Sequence, residues 1–169
     1  DGSGDGVFVR SYDVASGTLG AATQVNTFTD NNQNAPEIIG LTGGGYVVIW
    51  QSQGQDDSGW GAYAQMFADD GTPQGDELRI NGNVWGDQYD LVATALADGG
   101  FVAAWYDSYT GGGVYRDIYA RVFNADGSHR DHPFKVNDAS TGTQSSPSIT
   151  AFADGGFAIA WQSNSGEDG

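Results

Sequence analysis

The side chains best able to do chemistry in this sequence are carboxylates gathered in three stretches. Asp56 and Asp57 fall in residues 51–61, Asp107 and Asp117 in 106–117, and Glu167, Asp168, Asp1 and Asp5 near the two ends of the chain. In the run Asp1-Gly2-Ser3-Gly4-Asp5-Gly6, oxygen-bearing side chains hold the first, third and fifth places and a glycine the sixth. That spacing lets a loop wrap a hard cation, with Gly6 allowing the sharp turn, although the bidentate acid that closes a calcium loop is missing. Calcium is therefore the candidate cofactor, with Asp1, Ser3, Asp5, Asp56, Asp57, Asp117, Glu167 and Asp168 as candidate ligands. Crowded carboxylates repel one another at neutral pH, and with a single Lys in the chain a divalent ion is a natural source of relief. The same composition also builds an ordinary solvated turn. Identical melting curves in calcium and in chelator would exclude the ion.

Trp60, Trp85 and Tyr115 stand in or beside loops. Flat rings there suit stacking on the apolar face of a sugar, and they are the candidate ligand-binding residues; the alternative is that they fold over a sheet edge. His129 and His132 follow the turn at Asp126-Gly127 with no third metal ligand in view and read as exposed turn residues. There is no Gly-x-Ser-x-Gly elbow, phosphate loop or His-Glu-x-x-His motif. The acids sit at repeated turn positions, which argues for scaffolding rather than for a glycosidase pair. The expectation is that the chain is not an enzyme.

The elements that must position these groups follow from composition. Of 169 residues 27 are Gly, and the 22 acids comprise 19 Asp and 3 Glu. Asp, Gly, Asn and Ser shape turns, whereas the helix formers Glu, Lys and Leu are scarce, so the fold is expected to be all-β. The net charge of −16 disfavours nucleic acid and anionic lipid as partners, and no apolar run is long enough to span a membrane. The absence of Cys excludes disulfides and thiol chemistry. The chain opens without Met or an apolar signal, as expected of a mature or excised piece.

Self-similarity sets the architecture. Trp50, Trp105 and Trp161 are 55 and 56 residues apart, and Asn26, Asn81 and Asn137, Gln33, Gln88 and Gln144, and Tyr12, Phe67 and Phe123 keep the same intervals. Glycine turns at Gly43-Gly44, Gly99-Gly100 and Gly155-Gly156 complete the set. Each unit reads as four short strands: 36–41, 91–96 and 147–152; then apolar runs ending at the three Trp; then 62–67, 118–123 and 7–12; then 78–81, 134–137 and 23–26. Strands apolar throughout are covered on both faces. Trp50, Trp105 and Trp161 are thus expected to be equivalent core residues. Gln65, Arg121 and Arg10 share one strand position and read as outward polar residues. The chain forms a single repeat domain: 27–81, 82–137, and 138–169 joined with 1–26. Four-stranded units of this kind fit β-propeller blades, with one blade split between the termini. A β-trefoil or a sandwich-like stack is the alternative. Three blades do not close a ring, so self-association is expected, either two chains giving six blades or a longer array.

The pattern Asp-Gly-Gly-Phe-x-x-x-Trp-Gln-Ser, Tyr-Ala-x-x-Phe-x-x-Asp-Gly and Val-Asn, carried by residues 153–163, 119–127 and 136–137, resembles the tandem repeats of large bacterial secreted proteins that often also carry haemolysin-type (RTX) calcium-binding regions. The calcium nonapeptide itself is absent here. The resemblance implies an extracellular or cell-surface bacterial location and no particular activity. The expected function is a non-catalytic binding or adhesion module, calcium-stabilised and glycan-binding, with a cell-surface polysaccharide as partner. The alternative is a structural self-assembly unit of an extracellular array.

Overall fold

The computed structural model describes residues 2–109, 115–138 and 141–165. Its described residues contain fourteen strands and no helix, as the shortage of helix formers requires. Two four-stranded antiparallel sheets form the centre. The first is β5(Gln33–Gly40), β6(Tyr46–Gln53), β7(Trp60–Phe67) and β8(Pro73–Arg79); the second is β9(Asp87–Ala95), β10(Phe101–Tyr109), β11(Tyr115–Phe123) and β12(Phe134–Lys135). Both run in simple chain order. Two-stranded sheets flank them, one of β1(Phe8–Val9) and β4(Thr23–Gln24), the other of β13(Gln144–Ala151) and β14(Phe157–Ser163). A short exposed hairpin, β2(Tyr12–Asp13) with β3(Thr18–Leu19), projects beside β1.

The side-chain alternation of the strands stacks these sheets in layers. Val48 and Trp50 on β6 meet Val7 and Val25 of the amino-terminal sheet. Val47 and Ile49, on the opposite face, meet Phe101, Ala103 and Trp105 on β10. Val102 and Ala104, on the far face of β10, meet Ile149, Phe157 and Ile159. Each tryptophan on β6 and β10 therefore looks back toward the layer before it. Continuous apolar runs in the sequence correspond to strands held between two layers.

Three sequence expectations are corrected. Trp50 and Trp105 are 0% and 1% exposed, but Trp161 is only partly buried. The reason is topological. Among the described residues β14 pairs with β13 alone, and the residues that would supply its third and fourth strands, around β1 and β4, lie on the other side of both central sheets. The first strand of each unit also starts three or four residues earlier than expected, at Gln33, Asp87 and Gln144, and carries a bulge. Ala35, Asp90 and Ser146, at one repeat position, adopt φ of 49°, 51° and 51°. A left-handed residue is how such a bulge is made, and no glycine marks it in the sequence. Finally, Gln65 and Arg121 do not face outward: they are 3% and 7% exposed, while Arg10 in the short flanking sheet is exposed.

Those two buried side chains satisfy backbone carbonyls where the ladders break. The β7–β8 register slips between Ala64 and Met66, and Gln65 Nε2 donates there to the carbonyls of Met66 and Gly75 at 3.0 and 3.3 Å. Arg121 donates from Nη1 to the Ile80 carbonyl (3.1 Å), tying the second sheet to the first, and from Nε to the Asp131 carbonyl (3.2 Å). The repeat asparagines act alike. Asn26, Asn81 and Asn137 each accept, through Oδ1, the amide N–H of Val7, Ala62 and Ile118, at 2.8, 3.1 and 2.7 Å. Buried polar groups must be paired, so these asparagines satisfy amides near the start of the third strand in every unit.

Candidate functional site

The chemistry gathers at the ends of β10 and β11 and at the segment following β8. Asp107 lies two residues beyond Trp105, on the same face of the strand, and is paired across the ladder with Asp117. Directly opposed residues have Cβ atoms about 4.5–5.5 Å apart. A cavity of about 380 Å³ opens in front of Asp107, lined by Trp105, Tyr119, His132, Pro133, Gly82 and Asn83. The indole Nε1 of Trp105 is buried and has no hydrogen-bond partner among the described residues.

The two acids occupy different electrostatic settings. Burial is the main force on Asp107, pushing its carboxyl up to about 6; the negative charges of Asp117 and Asp87 add to this, and a 3.3 Å hydrogen bond from Gln88 Nε2 opposes it. Asp117 faces Lys135, whose Nζ lies 2.9 Å from Oδ1, and the same oxygen accepts from Asn137 Nδ2 at 2.8 Å. Gln88 is fully buried, and the bulge at Asp90 follows it by two residues. Bulges re-aim neighbouring side chains. Here the bulge accompanies the placement of Gln88 against Asp107 and of Tyr89 beside Tyr106, their rings 5.5 Å apart.

Trp60 does not offer a free ring. It packs on Tyr89 at 6.3 Å, and its amide N–H donates to Asp87 Oδ1 at 2.9 Å, so it folds over the junction of the two central sheets. Burial, then the Asp87 charge, pushes the Tyr89 phenol up to about 12. Arg116 lies over the Tyr106 ring, 4.8 Å from its centroid. Trp85, by contrast, is 69% exposed, and its amide N–H donates to Oδ1 of the cavity-lining Asn83 at 3.1 Å. Tyr115 is exposed at the start of β11.

The structure describes only some of the candidate calcium ligands. Asp1, Glu167 and Asp168 lie outside the described residues. Ser3 is exposed, and Asp5 is tied through its backbone, donating to Asn32 Oδ1 and accepting from the Gln33 amide. Asp57 is exposed in a left-handed turn. Asp56 reaches into the first sheet, where its Oδ2 accepts from Asn81 Nδ2 at 3.1 Å. It stands against Gly61, the counterpart of Asp117, so a loop carboxylate takes the place that Asp117 fills in the second sheet. Among the described residues no three His, Asp or Glu side chains come together as a metal site.

His129 is engaged rather than free, its Nδ1 lying 2.7 Å from Arg121 Nη2, and burial followed by the Arg121 charge lowers its pKa. His132, although exposed, lines the cavity. A larger hollow of about 540 Å³ lies at the other end of the sheets, among the glycine turns. Its acids are already committed to turns: Asp69 accepts from the Gly45 amide, and Asp126 from the Ser128 amide and hydroxyl. The role of Gln88 and the distinction of Asp107 from the other loop acids escaped sequence reasoning. The one available signal was that Asp107 and Asp117 replace Ser52 and Gly61 at matched positions.

No protein-family model and no curated protein matches this sequence. The fold is similar to that of a solved structure, an endo-arabinase from Bacteroides thetaiotaomicron, with a TM-score of 0.53 and 14% sequence identity over 79% of this chain. This chain spans about half of that enzyme, 52% of its length. That likeness to an enzyme stands against the expectation of a non-catalytic adhesion module, and against the alternative of a purely structural unit of an array. The fold is similar to that of an enzyme, and in the second sheet Asp107, paired with Asp117, lines a cavity.

Proposed function

We propose that this chain contributes to the hydrolysis of a polysaccharide, with its stacked sheets as blades of a β-propeller and Asp107 as the general acid. The observation that carries the reading is the cross-strand pair of Asp107 and Asp117, of which Asp107 lines the cavity beside Trp105, Tyr119 and His132. Two carboxyl groups flanking one bond are the working parts of most glycoside hydrolysis, the acid of the pair having a raised pKa. Burial supplies that here, since Asp107 retains a proton to about pH 6.

The residues divide the work as follows. Asp107 gives its proton to the departing glycosidic oxygen as the C–O bond breaks. The Asp117 carboxylate bonds to the anomeric carbon as that bond breaks, and water then cleaves the resulting ester, giving its proton to Asp107. Lys135 and Asn137 hold Asp117 in place. Trp85, exposed at the edge of the cavity through its link to Asn83, offers a face on which a sugar ring stacks. Arabinan is the first substrate to try, because the similar fold belongs to an endo-arabinase.

The test is release of reducing ends from arabinan and a panel of other plant and bacterial polysaccharides. Activity that falls at least a hundredfold in Asp107→Asn, with an unchanged circular dichroism spectrum, supports the reading. Activity indifferent to Asp107→Asn and Asp117→Asn, or no release from any member of the panel, overturns it.

A further inference from the structure

The two flanking sheets are each half of what the central sheets contain. Among the described residues β14 has a neighbour on one edge only, β13, whereas its counterparts β6 and β10 are paired on both. β1 likewise pairs with β4 alone, whereas its counterparts β7 and β11 have two neighbours. The missing neighbour of β14 is a strand of β1 type, and the missing neighbour of β1 is a strand of β14 type.

The side chains left open match in the same way. In the second sheet Trp105 opposes Tyr119 and Phe101 opposes Phe123, and both pairs stack, with centroids 6.3 and 4.4 Å apart. In the first sheet Trp50 stacks on Tyr63 and Tyr46 on Phe67, at 6.5 and 5.0 Å. The repeat interval makes Phe8 the counterpart of Tyr63 and Tyr119, and Tyr12 that of Phe67 and Phe123. Phe8 and Tyr12 are 54% and 58% exposed, and their would-be partners Trp161 and Phe157 are partly uncovered. Four aromatic residues thus stand without the stacking partner that each has in the other two units. They cannot meet within one chain, because both four-stranded sheets lie between them.

We infer that two copies of this chain assemble head to tail, β14 of each pairing with β1 of the other to complete two further four-stranded sheets. The register transfers from β10 and β11: Trp161 opposite Phe8 of β1, Ile159 opposite Arg10 just beyond it, and Phe157 opposite Tyr12 at the start of β2. The new contact continues an interface that the chain already makes twice internally. It also covers two strand edges, which are otherwise open to indiscriminate pairing. A head-to-tail contact either closes or grows without limit. Two copies give six sheets, within the four to eight from which radial sheet arrays are built. This inference is independent of the reading of Asp107.

Light scattering of the intact chain, over a wide concentration range, tests it. The expected mass is twice 17.7 kDa, returning to the single-chain mass in Phe8→Asp and in Tyr12→Asp. Both side chains are exposed in the single chain, so these changes spare its own folding. The register is checked by mixing Phe8→Cys with Trp161→Cys, since the chain has no other cysteine. Oxidation should link one of each into a covalent pair, because directly opposed strand positions lie within disulfide reach. A single-chain mass at every concentration, a mass beyond two copies, or a dimer unaffected by Phe8→Asp overturns the inference.

Discussion

The two central sheets have the same strand order, the same inner tryptophan and the same asparagine just after the fourth strand, yet only the second pairs two acids, one of which lines a cavity. In the first, Ser52 opposes Gly61; in the second, Asp107 opposes Asp117. The Asp56 carboxylate fills the space beside Gly61 and bonds the repeat asparagine, which restores one charge but not a pair. The same scaffold accepts different residues at these two positions, and in the second sheet burial raises the pKa of one of the two acids. A repeat fold can carry chemistry in a single copy, because its stability comes from elements that all copies share.

The largest effect that would break this comparison is the loss of a shared element. Trp105→Ala should cost about 3–5 kcal/mol, as expected for a fully buried indole, and Trp161→Ala distinctly less in the single chain, because Trp161 is only partly buried. Urea titrations of both variants compare the two, and equal losses would contradict the layered packing. Next comes the distinction between the two sheets. Asp107→Asn should lower polysaccharide hydrolysis by about 10²–10⁴-fold, the usual worth of a general acid, while Asp56→Asn in the first sheet leaves the rate near wild type in the same assay.

Removing the shared polar clamps should cost less than removing the indole. Asn81→Ala strands the Ala62 amide and Asn137→Ala strands the Ile118 amide. Each should lose about 1–3 kcal/mol, the penalty of an unsatisfied buried group. Only Asn137→Ala should also reduce the hydrolytic rate, since it alone touches Asp117.

A smaller effect sharpens the picture of Asp107. Its folded pKa of about 6 lies above the ordinary 3.8, so the folded state holds this proton more tightly than the unfolded chain does. The stabilisation is complete below the ordinary value and is lost as pH rises through the folded one. Wild type should therefore gain melting temperature between pH 7 and pH 5 relative to Asp107→Asn, and parallel pH profiles would remove burial as the cause. The smallest expected change is at the bulges. Ala35→Gly should raise stability slightly, by up to about 1 kcal/mol, because glycine accepts a φ of 49° without the side-chain clash.

The central sheets were largely legible in the sequence. The interval between Trp50 and Trp105, the glycine turns and the unbroken apolar runs all record burial between layers, a demand that acts at each repeat position independently. Gln65 and Arg121 were misread because alternation alone sends a polar residue outward. Their burial depends on carbonyls exposed by a register slip in the neighbouring strand, and on Ile80 in another sheet. The bulges at Ala35, Asp90 and Ser146 were invisible because none of the three residues is a glycine. Trp60 and Trp85 look alike in sequence as loop aromatics, but Tyr89 covers one and nothing among the described residues stacks on the other.

By itself the sequence determined that the chain would be all-β, that it would repeat, and that Trp50 and Trp105 would enter the core. Those properties follow from local turn chemistry and from periodicity along the strand. Only the tertiary structure decided which of many similar carboxylates carries a raised pKa, and that the outer units remain half built. Acidity depends on how much water and charge surround a group, and the completeness of a sheet depends on which strands meet. Both are relations between segments far apart in the chain.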